Sequence, residues 1–528
     1  MNDHDAQAGP AASTADDQAP MDHLDPARYR FDEYLAARGD NWLASDDLLQ
    51  RWLARSSPTE ETLALVDEFG RKCATTYDEI AHLVERRENH PYIAEADPYN
   101  RSTRDVVLPA ETWRVLGDVH GAGIWSAAMD ERARYAITYL LSQNGEFGVV
   151  CSMACTDGMN RALRRFGTDA RSREVIERLD SATPESWIHG AQFVTEIQGG
   201  SDAATNQLSV DELPDGLVSL SGQKWFCSNL TADYWMVTGR RPGGPDDHRG
   251  IGLYCVPRTW DGAPNGWALQ RLKDKLGTRA LPTAEITFEG ARGWAVGPED
   301  AGLKNMVAVV LTTSRVYNTV AAAGGRRRAT REARAYADFR RAFGKHLADQ
   351  PLIAASLERL ERKADEVQAG ALSVVDAWLD GLAHPDDLQK KLWSRILISL
   401  AKAVSTREAV PDAYEAMMVF GGNGIEEQFC ALPRLWRDAA ILETWEGSYT
   451  LLLMQVLGDL AKFGVAGQEE TFLRHGFGDH LPSDAASALA EILAAPEDAV
   501  NILAWGQLVP RLYHAYERRA LELLGGAG

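Results

Sequence analysis

Residues 420–448 read FGGNGIEEQFCALPRLWRDAAILETWEGS, and the reading of this stretch decides the fold. It opens with Gly421, Gly422 and Gly424, where a backbone without Cβ atoms lets a flat or phosphorylated ligand approach closely. It closes on Trp445-Glu446-Gly447-Ser448, a carboxylate between an indole and a glycine. Partial desolvation in such a setting raises a carboxyl pKa toward that of a working general base. Taken alone, the same letters also describe a Gly-rich helix end followed by a surface loop with one more acid.

Outward from this stretch the hydrophobic period divides the chain. Residues 302–462 carry long helical segments, interrupted at Gly324-Gly325, Pro351, Pro385 and Pro411, and such lengths suit a bundle. Upstream, 217–226, 234–239, 251–256 and 284–288 alternate as half-buried strands do. With turns at 242–245 and 261–264 they predict a compact antiparallel β domain ending near Gly297-Pro298. From Tyr29 to about Trp187 helical spacing predicts one all-α domain, with breaks at Asn89-His90-Pro91 and Asp97-Pro98-Tyr99-Asn100. The end of the chain holds two short amphipathic patterns, 486–494 and 502–524. The expected division is a disordered acidic tail (1–28), an N-terminal helical domain (29–188), a middle β domain (189–297), a C-terminal four-helix bundle domain (298–462) and an additional C-terminal helical segment (463–528).

Composition bounds the function. The 528 residues are 45% apolar and 25% charged, as in an ordinary soluble globular protein. A formal net charge of -21 opposes attraction to nucleic acid or to an anionic membrane, so DNA is not an expected partner. The N-terminal stretch lacks the basic and apolar regions of an export signal. The longest apolar run, 306–311, is far shorter than the ~20 residues of a membrane span, and a cytoplasmic protein is expected. The six cysteines, Cys73, Cys151, Cys155, Cys227, Cys255 and Cys430, show no zinc or disulfide spacing, so reduced buried thiols and no metal are expected. No Gly-x-Gly-x-x-Gly joins a strand to a helix, and a nicotinamide cofactor is not supported. The one basic cluster, Arg326, Arg327, Arg328, Arg331 and Arg334, reads as a solvated helix face, with a flavin-phosphate or nucleic-acid role as the sharper alternative.

Where helices give way to strands, QFVTEIQGGSD at 192–202 offers the hydroxyls of Thr195 and Ser201 beside bare backbone at Gly199-Gly200. Such donors suit a cofactor's ring carbonyl and phosphates, and a plain Gly-Gly-Ser-Asp turn is the other reading. Together with GQKWFCSN at 222–229, RRAFG at 340–344, FGGNG at 420–424 and WEGS at 445–448, this stretch resembles the acyl-CoA dehydrogenase family of flavoproteins. The motifs occur in family order from 192 to 448. Thr195 to Asp202, Lys224-Trp225-Phe226 and RLKDKLG at 271–277, with the extra C-terminal segment, are most similar to the AidB-like branch linked to the response to DNA alkylation.

The resemblance implies the three-domain fold, an FAD cofactor, and oxidation of a Cα–Cβ bond beside an activating carbonyl. By it, Val194, Thr195 and Ser201 contact the flavin ring and pyrophosphate, and Phe226 and Ser228 meet the isoalloxazine. Arg340, Phe343, Met418, Gly421 and Gly422 meet the FAD of a neighbouring subunit, which implies a dimer, usually doubled to a tetramer. Glu446 takes the place of the catalytic base and Arg315 that of a helix arginine near it, with Trp445 and Ser448 added to the cofactor-contacting set. Glu443 reads as an exposed acid. Two departures bear on substrate: Thr312 stands where many members carry an acid near the pantetheine path, and Trp445 replaces the more usual tyrosine. The substrate class is an acyl thioester or related small molecule, with a stress-response flavoprotein or a flavin oxidase or desaturase as the alternative readings.

Overall fold

The computed structural model describes residues 29–525, and the expected tail at 1–28 lies outside the described residues. The N-terminal region begins with α1 (Asp32–Ala37), α2 (Asp47–Ala54), α3 (Glu60–Ala74) and α4 (Thr76–Val84). Asp46 caps α2 by accepting from Leu49 N, and the same carboxylate accepts from Gln368 Nε2 at 2.7 Å, tying this helix to the C-terminal bundle. The stretch expected to be wholly helical then contains a hairpin, β1 (Tyr92–Ala96) with β2 (Ser102–Val107). Its turn is the predicted break at 97–100, where Asp97 Oδ1 accepts from the backbone N–H groups of Tyr99 and Arg101. Ile93 and Val106 pack on the core of the β domain, so tertiary contact rather than local periodicity fixes the hairpin. The helices resume with α5 (Ala110–His120), α6 (Glu131–Ser142), α7 (Val150–Phe166) and α8 (Ala170–Asp180).

The middle domain comprises β3 (Gly190–Phe193), β4 (Ser209–Glu212), β5 (Val218–Ser228), β6 (Tyr234–Arg240), β7 (Ile251–Pro257), the short pair β8 (Thr259–Trp260) and β9 (Ala263–Pro264), β10 (Trp267–Leu272) and β11 (Thr283–Ala295). The main sheet runs β10-β11-β5-β4-β6-β3, and β7 pairs with both β6 and β11, closing a small barrel. The domain is not purely antiparallel as predicted, because β3 lies parallel to β6 in the register Gly190↔Tyr234 to Phe193↔Val237. The chain between these strands, including the β4–β5 hairpin, supplies the long crossover that parallel pairing needs. Phe193, Leu220, Trp235, Ile286 and Phe288 fill the interior.

The C-terminal domain starts with α9 (Gly302–Asn305) and a π-helical turn (Met306–Leu311) that runs directly into α10 (Thr312–Phe339). After the two-residue strands β12 (Arg341–Ala342) and β13 (Lys345–His346) come α11 (Pro351–Ala383), α12 (Leu388–Val419), α13 (Leu432–Leu442) and α14 (Tyr449–Lys462). Gly324-Gly325 and Pro411 do not interrupt helices but sit inside α10 and α12. At Gly324 a Cβ would stand 2.6 Å from Tyr139 O, so the glycine lets α10 touch α6. The segment beyond 463 forms α15 (Glu469–Phe477), α16 (Ala485–Ala494) and α17 (Ala499–Gly525). Trp505 Nε1 donates to Leu453 O at 2.8 Å, and one continuous apolar core runs from Trp42 and Trp52 through Tyr317 and Leu397 to Trp505 and Tyr513.

The basic cluster on α10 is not a solvated face. Arg326 and Arg328 are buried, Arg326 against Asp412 and Glu408, and Arg328 against Asp78 and Glu332. Arg327 donates to Asp365 and Gln368, Arg331 to Ser45, and Arg334 to Glu361. A helix enclosed by neighbours on most sides must pair the charges that it carries. The helical stretch 299–339 is long and apolar enough to cross a membrane by composition, yet 78% of its most apolar window is buried inside the fold.

Candidate active site

Glu446 lies in the turn between α13 and α14, with a left-handed backbone (φ 51°) followed by Gly447 at φ 107°. A non-glycine residue holds that conformation only when its surroundings over-determine it. Here they do. Lys402 of α12, fully buried, donates from Nζ to Glu443 O at 2.8 Å and to Gly447 O at 2.7 Å, stapling the turn on both sides of Glu446. Arg315 of α10 donates from Nε to Glu446 O at 3.0 Å and from Nη2 to Gln455 at 3.2 Å.

The turn aims the Glu446 side chain at β3 and α10. Gln192 Nε2 donates to Oε1 at 2.6 Å, and Asn318 Nδ2 donates to Oε2 at 3.1 Å. Gln192 is itself held by Ser314, whose Oγ lies 3.1 Å from Nε2. Enclosure of the carboxyl pushes its pKa up, against the lowering influence of Lys402, Asn318, Arg315 and Gln192. Burial likewise pulls Arg315 down to about 10 and Lys402 down to about 8. Cys151, Cys155, Tyr317, Ala321, Leu442 and Trp445 wall the small chamber around the carboxylate. All six cysteines are free and buried, and no group of three His, Cys, Asp or Glu side chains among the described residues can hold a metal ion.

From β3 the chain continues into Val194 and Thr195, and Trp225 N donates to Thr195 O at 2.9 Å, bringing this segment beside Phe226 on β5. A buried ion pair fixes the segment: Lys224 Nζ donates to Val194 O at 3.0 Å and Glu196 Oε1 at 2.8 Å. Phe226 is 51% exposed, which for a phenyl ring in a strand leaves a face for a flat partner, and Lys273 Nζ lies 4.3 Å from its centroid. Ser228 Oγ lies 3.0 Å from Thr283 Oγ1, while Ser201 is exposed. Ser448 caps the start of α14 through its backbone and is exposed.

The remaining expected residues gather elsewhere. Arg340 and Phe343 follow the end of α10, and Met418, Gly421 and Gly422 lie at the end of α12. The two ends meet where Tyr336 stacks on Phe420 at 4.0 Å. Phe343 is 97% exposed, nothing lies within 4 Å of a Cβ built at Gly421 or Gly422, and Arg340 Nη1 donates to Tyr29 at 2.9 Å. This open, glycine-lined surface fits the approach of a flat or phosphorylated group. Glu443, expected to be exposed, is half-buried outside the chamber and pairs with Arg407 at 3.3 Å. Gln192, Ser314, Asn318 and Lys402 were not singled out from the sequence. Polar residues spaced four apart on α10 (314, 318) were the available signal, but only the fold shows that they face Glu446.

Comparison with known proteins agrees with this architecture. The profile of the acyl-CoA dehydrogenase middle domain matches residues 191–291, and that of the acyl-CoA dehydrogenase C-terminal domain matches residues 300–460. AidB of Escherichia coli strain K12 is 34% identical over 394 residues, covering 71% of this chain and 70% of AidB. The chain belongs to the acyl-CoA dehydrogenase family. Acyl-CoA dehydrogenase family member 11 of Caenorhabditis elegans is 29% identical over 439 residues, 78% of this chain and 69% of that protein. Among solved structures, the apo form of Bd2924 superposes with a TM-score of 0.83 at 26% identity, covering 92% of this chain and 98% of that one. The Caenorhabditis elegans ACDH-11 complex with C11-CoA has the same fold, with a TM-score of 0.81 at 24% identity over 91% of this chain and 86% of that one. As a member of this family the protein is an FAD-dependent oxidoreductase acting on CH–CH groups.

Proposed function

We propose that the protein oxidises the Cα–Cβ bond of an acyl thioester, with Glu446 removing the α-proton. The observation that carries this reading is the enclosed Glu446 carboxyl, whose proton affinity is raised by burial while its turn is held by Lys402 and Arg315. A thioester α-proton is weakly acidic, so its removal needs a base of raised pKa and donors at the carbonyl oxygen where charge develops. Among the described residues no acceptor engages the Glu446 backbone N–H, which leaves it to serve as one such donor. FAD, when bound, supplies the hydride acceptor. Val194, Thr195, Ser201, Phe226, Ser228, Trp445 and Ser448 would hold the flavin side. Leu442, Trp445 and Tyr317 form walls beside the carboxylate.

Arg340, Phe343, Met418, Gly421 and Gly422 would receive the FAD of a second copy. Arg315 and Arg340 are 25 positions apart on and just beyond α10, or roughly 37 Å at 1.5 Å per residue. That span exceeds an extended dinucleotide, which supports a dimer, with a tetramer as its doubled form.

A cleft of about 1070 Å³ opens beside Thr312, one helical turn before Arg315, and supports the thioester assignment. Arg165, Lys391 and Arg395 line it with apolar Trp378, Leu392 and Phe472, a mixture suited to a long, partly phosphorylated carrier. Thr312 Oγ1 donates to Val307 O at 2.8 Å within its own helix, so the missing acid is not replaced by a free hydroxyl. The test is a panel of saturated acyl-CoA thioesters mixed anaerobically with the FAD-loaded protein. Bleaching of the flavin absorbance by at least one ester is expected. No bleaching by any ester, with bleaching by a carrier-protein-bound or free acid, would move the substrate class to those compounds.

A further inference from the structure

The two oxygens of the Glu446 carboxylate are engaged by different parts of the fold. Oε1 accepts from Gln192 on β3 and Oε2 accepts from Asn318 on α10. Neither amide has a competing carboxylate. Gln192 exchanges its other contacts with Ser314 Oγ, at 3.1 Å from Nε2 and 3.4 Å from Oε1, and Asn318 Nδ2 also donates to Ser314 O at 3.0 Å. Ser314 therefore braces both amides. β3, which carries Gln192, ends at Phe193 and runs directly into Val194 and Thr195.

We propose that Gln192 and Asn318 are a pair of positioning residues that clamp both oxygens of Glu446, holding it in one rotamer and tying its proton affinity to the strand that leads into Val194 and Thr195. The proposal rests on Glu446 being the base. Two amide donors stabilise the ionised form, so the clamp favours the carboxylate that must accept a proton and works against the burial that disfavours it. Each carboxylate oxygen keeps a second lone pair, so the clamp orients the base without blocking it. The other groups facing the carboxyl are Arg315 from α10, Lys402 from α12 and Cys151 from α7, while Glu443, earlier in the same turn, acts on Lys402. Of these, Arg315 and Lys402 reach the turn through its carbonyls, and only the two amides touch the carboxylate itself.

The test reads the carboxyl directly and needs no substrate. Infrared difference spectra of the FAD-loaded, full-length protein across a pH series report the C=O stretch of protonated Glu446, assigned by its disappearance in Glu446→Gln. Gln192→Leu and Asn318→Leu keep size and remove the donors. Each is expected to move the midpoint of that band upward by roughly one pH unit, and the double variant further, with FAD content unchanged. Unchanged midpoints in both single variants would overturn the proposal and leave the amides as packing. Asn318→Leu decides the matter alone if Gln192→Leu fails to fold or to hold FAD. Should Glu446→Gln reduce its flavin at the normal rate while the midpoints still shift, the clamp stands and the base assignment falls.

Discussion

Replacing Lys224 by Met tests how the 194–196 segment is held. Lys224 is 1% exposed and its ammonium donates to Val194 O at 3.0 Å, Glu196 Oε1 at 2.8 Å and Thr238 Oγ1 at 3.3 Å. Glu196, also buried, accepts in addition from the backbone N–H groups of Gln207 at 2.6 Å and Leu208 at 3.1 Å. Burial outweighs the partner for the lysine and lowers its pKa, whereas the ring of donors outweighs burial for Glu196 and holds its carboxyl below the usual range. Removing one member of such a pair strands the other charge and costs about 3–5 kcal/mol. At the lower figure, that is about two decades in the population of molecules whose 194–196 segment is released. The assay is urea titration of the FAD-loaded protein, read by the fluorescence of released FAD. The penalty is expected to be full at neutral pH and to shrink in acid, because the stranded Glu196 then takes up a proton. Lys224→Met/Glu196→Gln should recover most of the loss. A single variant that keeps its FAD, with a midpoint within the scatter of the parent protein, would refute the argument.

Other predictions follow from particular contacts. Glu517 of α17 is buried and raised to about 7, so the folded state binds more protons than the unfolded one between about pH 4.5 and 7, and stability falls as pH rises through that window. Glu517→Gln should therefore stabilise the protein by up to about 3 kcal/mol above pH 7, with the gain vanishing near pH 4, as read by denaturant unfolding at both values. Arg340→Ala should lower FAD content and disperse the proposed dimer together, measured by absorbance and light scattering of the same sample. Lys402→Met removes a charge that lowers the proton affinity of Glu446, so the acid limb of flavin reduction should move to higher pH and any change centred near pH 8 should disappear from stopped-flow profiles.

Much of the fold was legible because hydrophobic period changes twice along the chain, and the strands at 218–228, 234–240 and 251–257 fall where alternation placed them. What could not be read depends on neighbours distant in sequence. The hairpin at 92–107 is held by the β domain, and the Gly324-Gly325 and Pro411 signals were overridden by packing around α10 and α12. The arginines of α10 look like a solvated face until Asp78, Asp365, Glu408 and Asp412 arrive from other helices. At the site, the motif around Glu446 was visible in sequence, whereas its left-handed backbone is seen only in the fold. The residues that touch its carboxylate were not: Gln192 opens the 192–202 stretch and Asn318 sits on α10, 254 and 128 positions away, and only the fold brings their amides to Glu446.

The most direct measurement is the rate of flavin reduction by the best thioester of the panel in Glu446→Gln. Glutamine keeps the size and hydrogen bonding of the side chain and removes the proton acceptor. The account predicts that FAD stays bound while reduction slows by the ~10²–10⁴-fold typical of losing a general base. An unchanged rate in the FAD-loaded variant would contradict it.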